Sequence, residues 1–309
     1  MAENFMLIAQ QVLVLFILIG VGFLCGKKGI INDVASKKMT DIVLYVVTPC
    51  VMISAFQREF TFELIGKMAV AVVCAALIIA GSIAIAKLVF HDKNIGRQKV
   101  LEFSVIFSNC GFMSLPLQKA ILGDDGWFYG SIFVAVFNIF IWTYGLVAMS
   151  GDKKQLSFKK LVFNPGISGV VIAALLFVFR IDLPEIISMP IDYLAGLNTP
   201  IPMLIIGYYL SKADFKQAFT DIGGYIAMAV RLFLIPAVAL FAMVLFRVDS
   251  TIIVAFIIAS AAPTAATTTM FSAKFNRDVE LSVSVVASTT LVSIISMPLL
   301  VALAQTITG

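Results

Sequence analysis

Residues 107–117 read FSNCGFMSLPL, a polar and helix-breaking run inside a segment otherwise apolar enough to cross a membrane. Gly111 weakens a helix, and Pro116 removes a backbone hydrogen bond. In lipid, each backbone group freed in this way must be satisfied by protein or by water in a cavity. The stretch therefore predicts a broken helix, and a break at this position needs a functional explanation.

The composition predicts an integral membrane protein. Hydrophobic residues make up 61% of the 309 positions and charged residues 13%, about half of the roughly 25% that is usual in soluble domains. Apolar stretches recur along the whole chain, so we expect one transmembrane domain over residues 1–309. The first residues lack the basic start and cleavage site of a signal peptide, so we interpret the first apolar segment as a retained helix.

At about 20 residues per crossing, the apolar segments predict ten transmembrane helices. The expected helices are 5–25, 40–57, 67–90, 99–122, 127–149, 161–179, 186–210, 220–246, 251–275 and 281–304. Because the number of crossings is even, both termini are expected on the same side of the membrane.

Lysine and arginine concentrate in the loops after the odd-numbered helices. These residues are Lys27, Lys28, Lys37, Lys38, Lys87, Lys93, Arg97, Lys99, Lys153, Lys154, Lys159, Lys160, Lys212, Lys216, Lys274 and Arg277. The opposite side has only Arg58, Lys67, Lys119, Arg180 and Arg247. Since cytoplasmic loops carry the excess of cations, we expect a multi-pass protein of the cell membrane with both termini extracytoplasmic. The net charge of +4 then reports topology, and no nucleic-acid partner is expected.

A short repeat predicts two halves of opposite orientation. Residues 41–52, DIVLYVVTPCVM, and residues 192–203, DYLAGLNTPIPM, share Asp, Thr, Pro and Met at the same spacing. Each half, 1–150 and 161–309, would contain five helices, and an odd number makes the repeat inverted. Inverted repeats are a secondary-transporter architecture. At a similar offset, Ser108 matches Ser260 and Asn138 matches Thr289.

The ninth expected helix repeats the break of the fourth. Residues 259–271, ASAAPTAATTTMF, place Pro263 near the middle, as Asn109 lies near the middle of the fourth helix. A simple kink would explain either segment alone, but the matched position in both halves favours a paired device. If the two helices cross at the midplane, two half-helix N-termini point at one site. Their partial positive charge and free N–H groups suit an anion such as a carboxylate.

The polar residues around the two breaks are the expected substrate-binding residues. For Asn138 and Thr289, on the helices that follow the breaks, hydrogen bonding between helices is the alternative role. The full candidate set is Ser108, Asn109, Gly111, Pro116, Asn138, Pro263, Thr264, Thr267, Thr268 and Thr289.

Five stretches carry a resemblance to a known family: SNCGFMSLPL at 108–117, FNIFIWTYG at 137–145, NP at 164–165, RLFLIP at 231–236 and ASAAPTAA at 259–266. With the ten-helix repeat, the chain resembles the auxin efflux carrier family, specifically its bacterial malate- and malonate-permease-like members. The resemblance implies a scaffold of helices one, two, six and seven and a moving transport unit of helices three to five and eight to ten. It also implies that Asn109, seven residues before Pro116, contacts a substrate carboxylate.

The chain departs from the plant members of this family at two places. The loop at 151–160 is short, whereas plant members carry a long cytoplasmic loop there. The second proline of the plant-type ninth helix is absent, and its place falls within the threonine run that follows Pro263. Both departures argue against auxin as the substrate.

Arg231 is the cation expected deep in a span, and no acidic residue is expected at its depth. A charge there is a functional hypothesis because its burial is costly. Two roles stay open: Arg231 bonds exposed carbonyls at a half-helix C-terminus, or it supplies charge for an anionic substrate. Glu102 is expected to form a surface ion pair with the cluster of Arg97 and Lys99 in preference to serving as a proton relay.

Asp41 and Asp192 also have two open roles. Either they are protonation sites that couple transport to a proton gradient, or they interact with the helix macrodipole. Both lie in the first turns of their expected helices, which favours the second role.

Together these features predict a secondary carrier of a small organic anion, a carboxylate, that works by an elevator-like alternating-access movement. Coupling to H⁺ or Na⁺ and a homodimer through the scaffold helices both stay open. The alternatives are a sodium-coupled symporter of bile-acid-type architecture and a membrane sensor without transport. An enzyme is not expected because the spans lack a nucleophile–base pair or a metal-binding set, and neither cofactor nor metal is expected.

Overall fold

The computed structural model describes residues 2–59, 61–152, 154, 165–212 and 221–308. Within these ranges the protein is helical, with no strand and one isolated antiparallel bridge between Ser108 and Thr264. The helices are α1 Ala2–Lys27, α2 Asp33–Ile42, α3 Thr48–Phe56, α4 Phe62–Val89, α5 Ile95–Ile106, α6 Leu115–Phe140, α7 Leu146–Ser150, α8 Pro165–Val178, α9 Glu185–Gly196, α10 Pro200–Lys212, α11 Ile222–Ala229, α12 Ile235–Leu245, α13 Ser250–Ser260, α14 Thr267–Lys274 and α15 Val279–Thr308. The π-helical turns Val43–Val47, Ile141–Gly145 and Val230–Leu234 each join two consecutive helices, and the π-helical turn Cys110–Ser114 leads into α6 after the break at 107–109.

Six helical stretches in the described ranges are long and apolar enough to cross a membrane. They are Ala9–Lys27, Asp33–Phe56, Phe62–Val89, Cys110–Ser150, Ile222–Leu245 and Val279–Thr308. Their outer faces carry large exposed apolar side chains, including Leu13, Ile17 and Leu77. Such continuous apolar exposure suits contact with lipid. The chain is therefore a multi-pass membrane protein, as the composition predicted.

The long stretch Cys110–Ser150 folds back on itself at Gly123. This glycine has φ 61° and ψ −138°, which interrupts the helix. A side chain at Gly130 would collide with the carboxamide of Gln118, although 12 residues of a straight helix cover about 18 Å. The expected boundary between helices 99–122 and 127–149 therefore coincides with a reversal of the chain.

The helices pack as two groups. In one group, α1 packs along α10, and α3 packs against α8 and α9. Gly22 and Gly207 let the backbones of α1 and α10 touch, because a side chain at either position would enter the facing backbone. In the other group, α6 packs against α4 and α13, and α13 packs against α15.

The first-turn positions expected for Asp41 and Asp192 are wrong. Asp41 lies near the end of α2, which begins at Asp33 with Asn32 accepting a hydrogen bond from the Ala35 N–H. Asp192 lies in the third turn of α9 and accepts a hydrogen bond from Ser54 Oγ at 2.6 Å. Helix α2 begins seven residues before the predicted position 40, which places Asp41 near its end, whereas α9 begins at Glu185, one residue before the predicted 186, and Asp192 lies seven residues after that start.

Glu102 forms the expected ion pair with Lys99, but in a buried position and without Arg97. Glu102 is only 3% exposed, and its carboxylate accepts hydrogen bonds from Gln98 at 2.7 Å and Lys99 at 2.8 Å. Arg97 instead pairs with Asp92 and Asp221. Five of the residues named from the sequence lie outside the described ranges: Lys153, Lys159, Lys160, Asn164 and Lys216.

Candidate functional site

The two helix breaks meet and satisfy each other's backbone. Helix α5 ends at Ile106, and α13 ends at Ser260. The Asn109 N–H donates to the Pro263 carbonyl at 2.7 Å, and the Ala265 N–H donates to the Phe107 carbonyl at 2.9 Å. We call residues 107–109 and 263–265 the bridge. Because a freed backbone group is costly in a membrane, these two bonds explain how both breaks are tolerated.

Threonine hydroxyls tie the bridge to its neighbours. Thr264 Oγ1 donates to the Ser104 carbonyl at 3.0 Å. The Thr264 N–H donates to Thr289 Oγ1 at 3.2 Å, and that hydroxyl donates to the Val285 carbonyl at 2.7 Å. Thr264 and Thr289 thus have their hydrogen bonds filled by protein, and neither lines the cavity described below.

Arg231 binds the C-terminal ends of both broken helices. Its Nη1 donates to the Val105 carbonyl at 2.7 Å and lies 3.4 Å from the Ile106 carbonyl, and its Nη2 donates to the Ser260 carbonyl. The side chain is 2% exposed and has no carboxylate partner among the described residues. The last carbonyls of a helix lack intrahelical partners and carry partial negative charge. These contacts fit the first of the two roles that the sequence left open.

The N-terminal ends at the same breaks have no side-chain cap. Asn109 precedes the turn that leads into α6, Ala266 precedes α14, and neither provides a capping hydrogen bond. Asn109 is 4% exposed, and its carboxamide makes no hydrogen bond to any residue that the structure describes. The hydroxyls of Thr267 and Thr268 are buried without a partner in the same part of the chain. The Thr268 and Thr269 N–H groups donate to the Ala265 and Ala266 carbonyls. The N–H groups of Gly111 and Thr267, in contrast, have no partner among the described residues and lie next to these polar side chains.

A cavity of about 90 Å³ lies beside these ends. Its volume is below the roughly 300–1,000 Å³ of typical ligand sites, so this conformation has room for a carboxylate group and little more. Apolar side chains such as Phe112, Trp142 and Met270 form much of its wall. The polar side chains on its wall belong to Thr48, Ser108, Asn109, Asn138, Asn198 and Thr267.

The cavity brings together half of the residues expected from sequence. Those on its wall are Ser108, Asn109, Gly111, Asn138 and Thr267. Those off its wall are Pro116, Pro263, Thr264, Thr268 and Thr289. Pro263 instead accepts a bridge hydrogen bond through its carbonyl, and Pro116 lines a larger cavity nearby. The three charged candidates, Arg231, Asp41 and Asp192, are also absent from the wall.

Asn198 also lies on the wall, although it is not one of the ten candidate residues. It lies between α9 and α10, and its Nδ2 donates to the Gly111 carbonyl at 2.8 Å. The bond links one packing group to the broken helix of the other. The available signal was the motif Asn198-Thr199-Pro200 in the second repeat copy, where an amide directly precedes a helix-breaking pair.

An open vestibule of about 1060 Å³ lies next to the small cavity. Its wall reaches Pro116 and Thr199, which adjoin the cavity residues Leu115 and Asn198 in sequence. Ion pairs surround it, formed by Arg58 with Asp125 at 2.8 Å, Lys67 with Glu63 at 3.1 Å and with Asp249 at 3.2 Å, and Lys119 with Asp124. Asp192 lies on the same wall. On another side of the cavity, between Thr40 and Tyr209, the gap is only about 20 Å³.

The chain matches the family model described as Membrane transport protein over residues 7–158 and 152–301. A protein described as an uncharacterized transporter from Methanocaldococcus jannaschii is 24% identical over 299 residues, covering 93% of this chain and 96% of that protein. Another so described, from Methanothermobacter thermautotrophicus, is 20% identical over 298 residues, covering 96% and 98%. These matches confirm the resemblance to the auxin efflux carrier family and the expectation that the protein is not an enzyme. The chain belongs to this membrane transport family and is a transporter of a small substrate across a lipid bilayer.

Proposed function

We propose that this protein is a secondary transporter that moves a small organic anion, a carboxylate, by an elevator-like alternating-access mechanism. One observation carries the proposal: two uncapped helix starts and the unpartnered carboxamide of Asn109 surround a single buried cavity. Helix N-termini attract anions through free N–H groups and partial positive charge. A carboxylate is the simplest organic group that both carries negative charge and accepts hydrogen bonds from these N–H groups.

The binding step uses hydrogen-bond donors that the protein itself leaves unused. One carboxylate oxygen accepts from the Gly111 N–H, and the other accepts from the Thr267 N–H. Both residues lie on the cavity wall. Asn109 Nδ2 and the Thr267 hydroxyl add neutral donors, which fix the orientation of the anion without adding charge. No covalent step is required.

The movement uses the two packing groups as scaffold and transport unit. Helices α1–α3 and α8–α10 form the scaffold, and helices α4–α7 and α11–α15 form the transport unit. The packing supports this division, because α3 packs on α8 and α9, whereas α13 packs on α6 and α15. Counting the reversal at Gly123 and joining each broken pair gives ten crossings in two inverted halves. The bridge then lies at the midplane, and both termini are extracytoplasmic.

The open vestibule suggests which side is accessible. It contains Arg58, Lys67 and Lys119, which belong to the loops expected outside the cell. The small gap near Thr40 and Tyr209 lies toward the side that is expected to be cytoplasmic. We therefore infer an outward-facing state in which Asn198 holds Gly111. That hydrogen bond must break when the transport unit moves past the scaffold.

A sodium-coupled symporter is the second candidate function. The buried hydroxyls of Thr267 and Thr268 have no partner in the described ranges, and hydroxyl oxygens are ligands that hard cations accept. Flux into proteoliposomes separates the candidates: uptake that rises with an inward Na⁺ gradient supports symport. Uptake that responds to a proton gradient supports H⁺ coupling, and uptake that ignores both supports uniport.

Binding of a panel of organic acids tests the principal proposal. The purified protein should melt at a higher temperature with at least one small carboxylate, since ligands stabilise the state that they bind. Asn109→Ala should weaken that binding by about tenfold or more, as expected when a hydrogen bond to a charged group is lost. Asn94→Ala is the matched control, because Asn94 caps the outer start of α5. Unchanged binding in Asn109→Ala would remove Asn109 from the site.

A further inference from the structure

Four helix ends converge at the bridge, and their partial charges bear on what can bind there. Helices α5 and α13 bring C-terminal ends, and the turn before α6 and the start of α14 bring N-terminal ends. Each C-terminal end carries about −0.5 elementary charge and each N-terminal end about +0.5. Without a charged side chain, the four ends would sum to about zero.

Arg231 breaks this balance because it contacts only the C-terminal ends. Its guanidinium donates to carbonyls of Val105 and Ser260, and both lie in the last turns of their helices. One positive charge on two ends of about −0.5 cancels them. Of the residues that the structure describes, only Glu102 and Arg231 are charged and buried, and Glu102 is paired with Lys99.

The N-terminal ends have no corresponding acid. Asn109 and Ala266 provide no cap, and the described part of the cavity wall has no carboxylate. The two N-terminal ends therefore keep a partial charge of about one elementary unit in total, which no charged side chain in the described residues offsets. The cavity next to them is positive, although no cation lies on its wall.

We propose that Arg231 sets the charge of the transported ligand at one negative unit. The inference rests on the proposed function, since it assumes that the anion binds at these ends. Arg231 acts as a positioning residue: it cancels the C-terminal ends and joins the two helices, and it does not touch the ligand. A monoanion leaves the loaded site neutral, whereas a dianion leaves one negative charge in a region where charge is costly.

A charge series on one carbon skeleton tests this role. Malonate, malonamate and malonamide carry two, one and no negative charges near neutral pH and have similar size, and the short skeleton suits the small cavity. Dissociation constants are measured by calorimetry on the purified full chain, as the natural protein and as Arg231→Lys and Arg231→Gln. The natural protein should bind malonamate at least about tenfold more tightly than the other two, given the strength of charge interactions away from water.

The two variants separate charge from structure. Arg231→Lys keeps the charge and should keep malonamate as the preferred ligand. Arg231→Gln keeps hydrogen-bond donors but removes the charge. The preferred ligand charge should then move from minus one to zero, so malonamide should bind at least as well as malonamate. A purely structural arginine would weaken all three ligands by the same factor in Arg231→Gln, and that result would overturn the inference.

The outcomes also distinguish this inference from the proposed function. If the natural protein binds none of the three compounds, the proposed function is contradicted for this class of small acid, and the inference falls with it. If the natural protein prefers malonate, carboxylate binding stands and the inference alone is overturned. Should Arg231→Gln fail to fold, the ranking in the natural protein and in Arg231→Lys still decides.

Discussion

The two broken helices have side-chain N-caps at their outer starts and no side-chain N-cap at the starts next to the bridge. At the outer start of α5, Asn94 accepts a hydrogen bond from the Arg97 N–H at 3.2 Å. At the outer start of α13, Asp249 accepts one from the Thr251 N–H at 2.9 Å. At the bridge, Asn109 and Ala266 stand in the same position and cap nothing.

This difference is the reverse of what helix stability alone would favour. An exposed N–H group has water as a substitute partner, whereas a buried one has none and costs about 1–3 kcal/mol when it is left unsatisfied. The protein therefore has side-chain caps at the outer helix starts, where water could replace them, and none at the buried starts, where an unsatisfied N–H group costs more. The lack of a side-chain cap at both breaks, despite this cost, points to a ligand that accepts hydrogen bonds there.

Removing the charge on Arg231 should have the largest effect. Arg231→Leu leaves the buried carbonyls of Val105 and Ser260 without their donor, which should cost about 3 kcal/mol or more, since breaking a buried charged interaction is severe. Denaturation in detergent measures the loss. Arg247→Gln is the control because Arg247 is exposed. Equal stability of Arg231→Leu and the natural protein would contradict the role of Arg231 at the bridge.

An acidic side chain at the start of α14, like Asp249 at the start of α13, should weaken ligand binding. Ala266→Asp places a carboxylate at the start of α14, beside the Thr267 N–H, which has no partner among the described residues. We expect the affinity for a carboxylate ligand to fall by at least about tenfold, since like charges repel strongly away from water. Calorimetry measures the change. Full affinity in this variant would show that the anion binds elsewhere.

Asp249→Ala is the reciprocal variant. It removes an outer cap and should lower the free energy of unfolding by about 1 kcal/mol, with ligand affinity retained. Thermal melting with and without ligand gives both quantities. A loss of affinity as large as that in Ala266→Asp would erase the distinction between the two kinds of start.

Two threonines at the breaks should differ in a smaller way. Thr267 has an unpartnered hydroxyl on the cavity wall, and Thr264 donates to the Ser104 carbonyl. Thr267→Val should weaken binding a few-fold and leave the free energy of unfolding nearly unchanged. Thr264→Val should lower that free energy by about 1 kcal/mol, the usual net value of a buried hydrogen bond. The reverse pattern in melting and binding assays would exchange their roles.

The sequence predicted the breaks well because helix-breaking chemistry is local. Gly111 and Pro263 act on their own turns, and the break positions follow from them. The start of α9 was predicted to within one residue, and Asp192 was misplaced because it lies seven residues further on. The start of α2 was harder, since its first turn, from Asp33, lies outside the apolar pattern, and Asp41 was misplaced for that reason. Apolar periodicity marks the part of a helix that is buried in lipid, which is shorter than the helix.

The roles of hydroxyl and amide groups were not predictable from sequence. Thr264, Thr267 and Thr289 look alike as candidates, and only packing decides that two of them bond protein while Thr267 stays free. The hydrogen bond from Asn198 to the Gly111 carbonyl was not predicted, because the two residues lie 87 positions apart in the chain. Hydrogen-bond partners across helices depend on helix orientation, which the polar pattern does not specify.

Solid-state NMR of the bound ligand tests the central claim most directly. Malonamate with a ¹³C-labelled carboxylate is bound to protein with ¹⁵N-labelled Gly and Thr. Gly111→Ala and Thr267→Ser samples, which remove one label each, identify the signals of these two cavity residues. The proposed site predicts carbon–nitrogen distances of about 4 Å or less to both backbone nitrogens, as expected for N–H···O bonds. Tight binding with neither contact would contradict it.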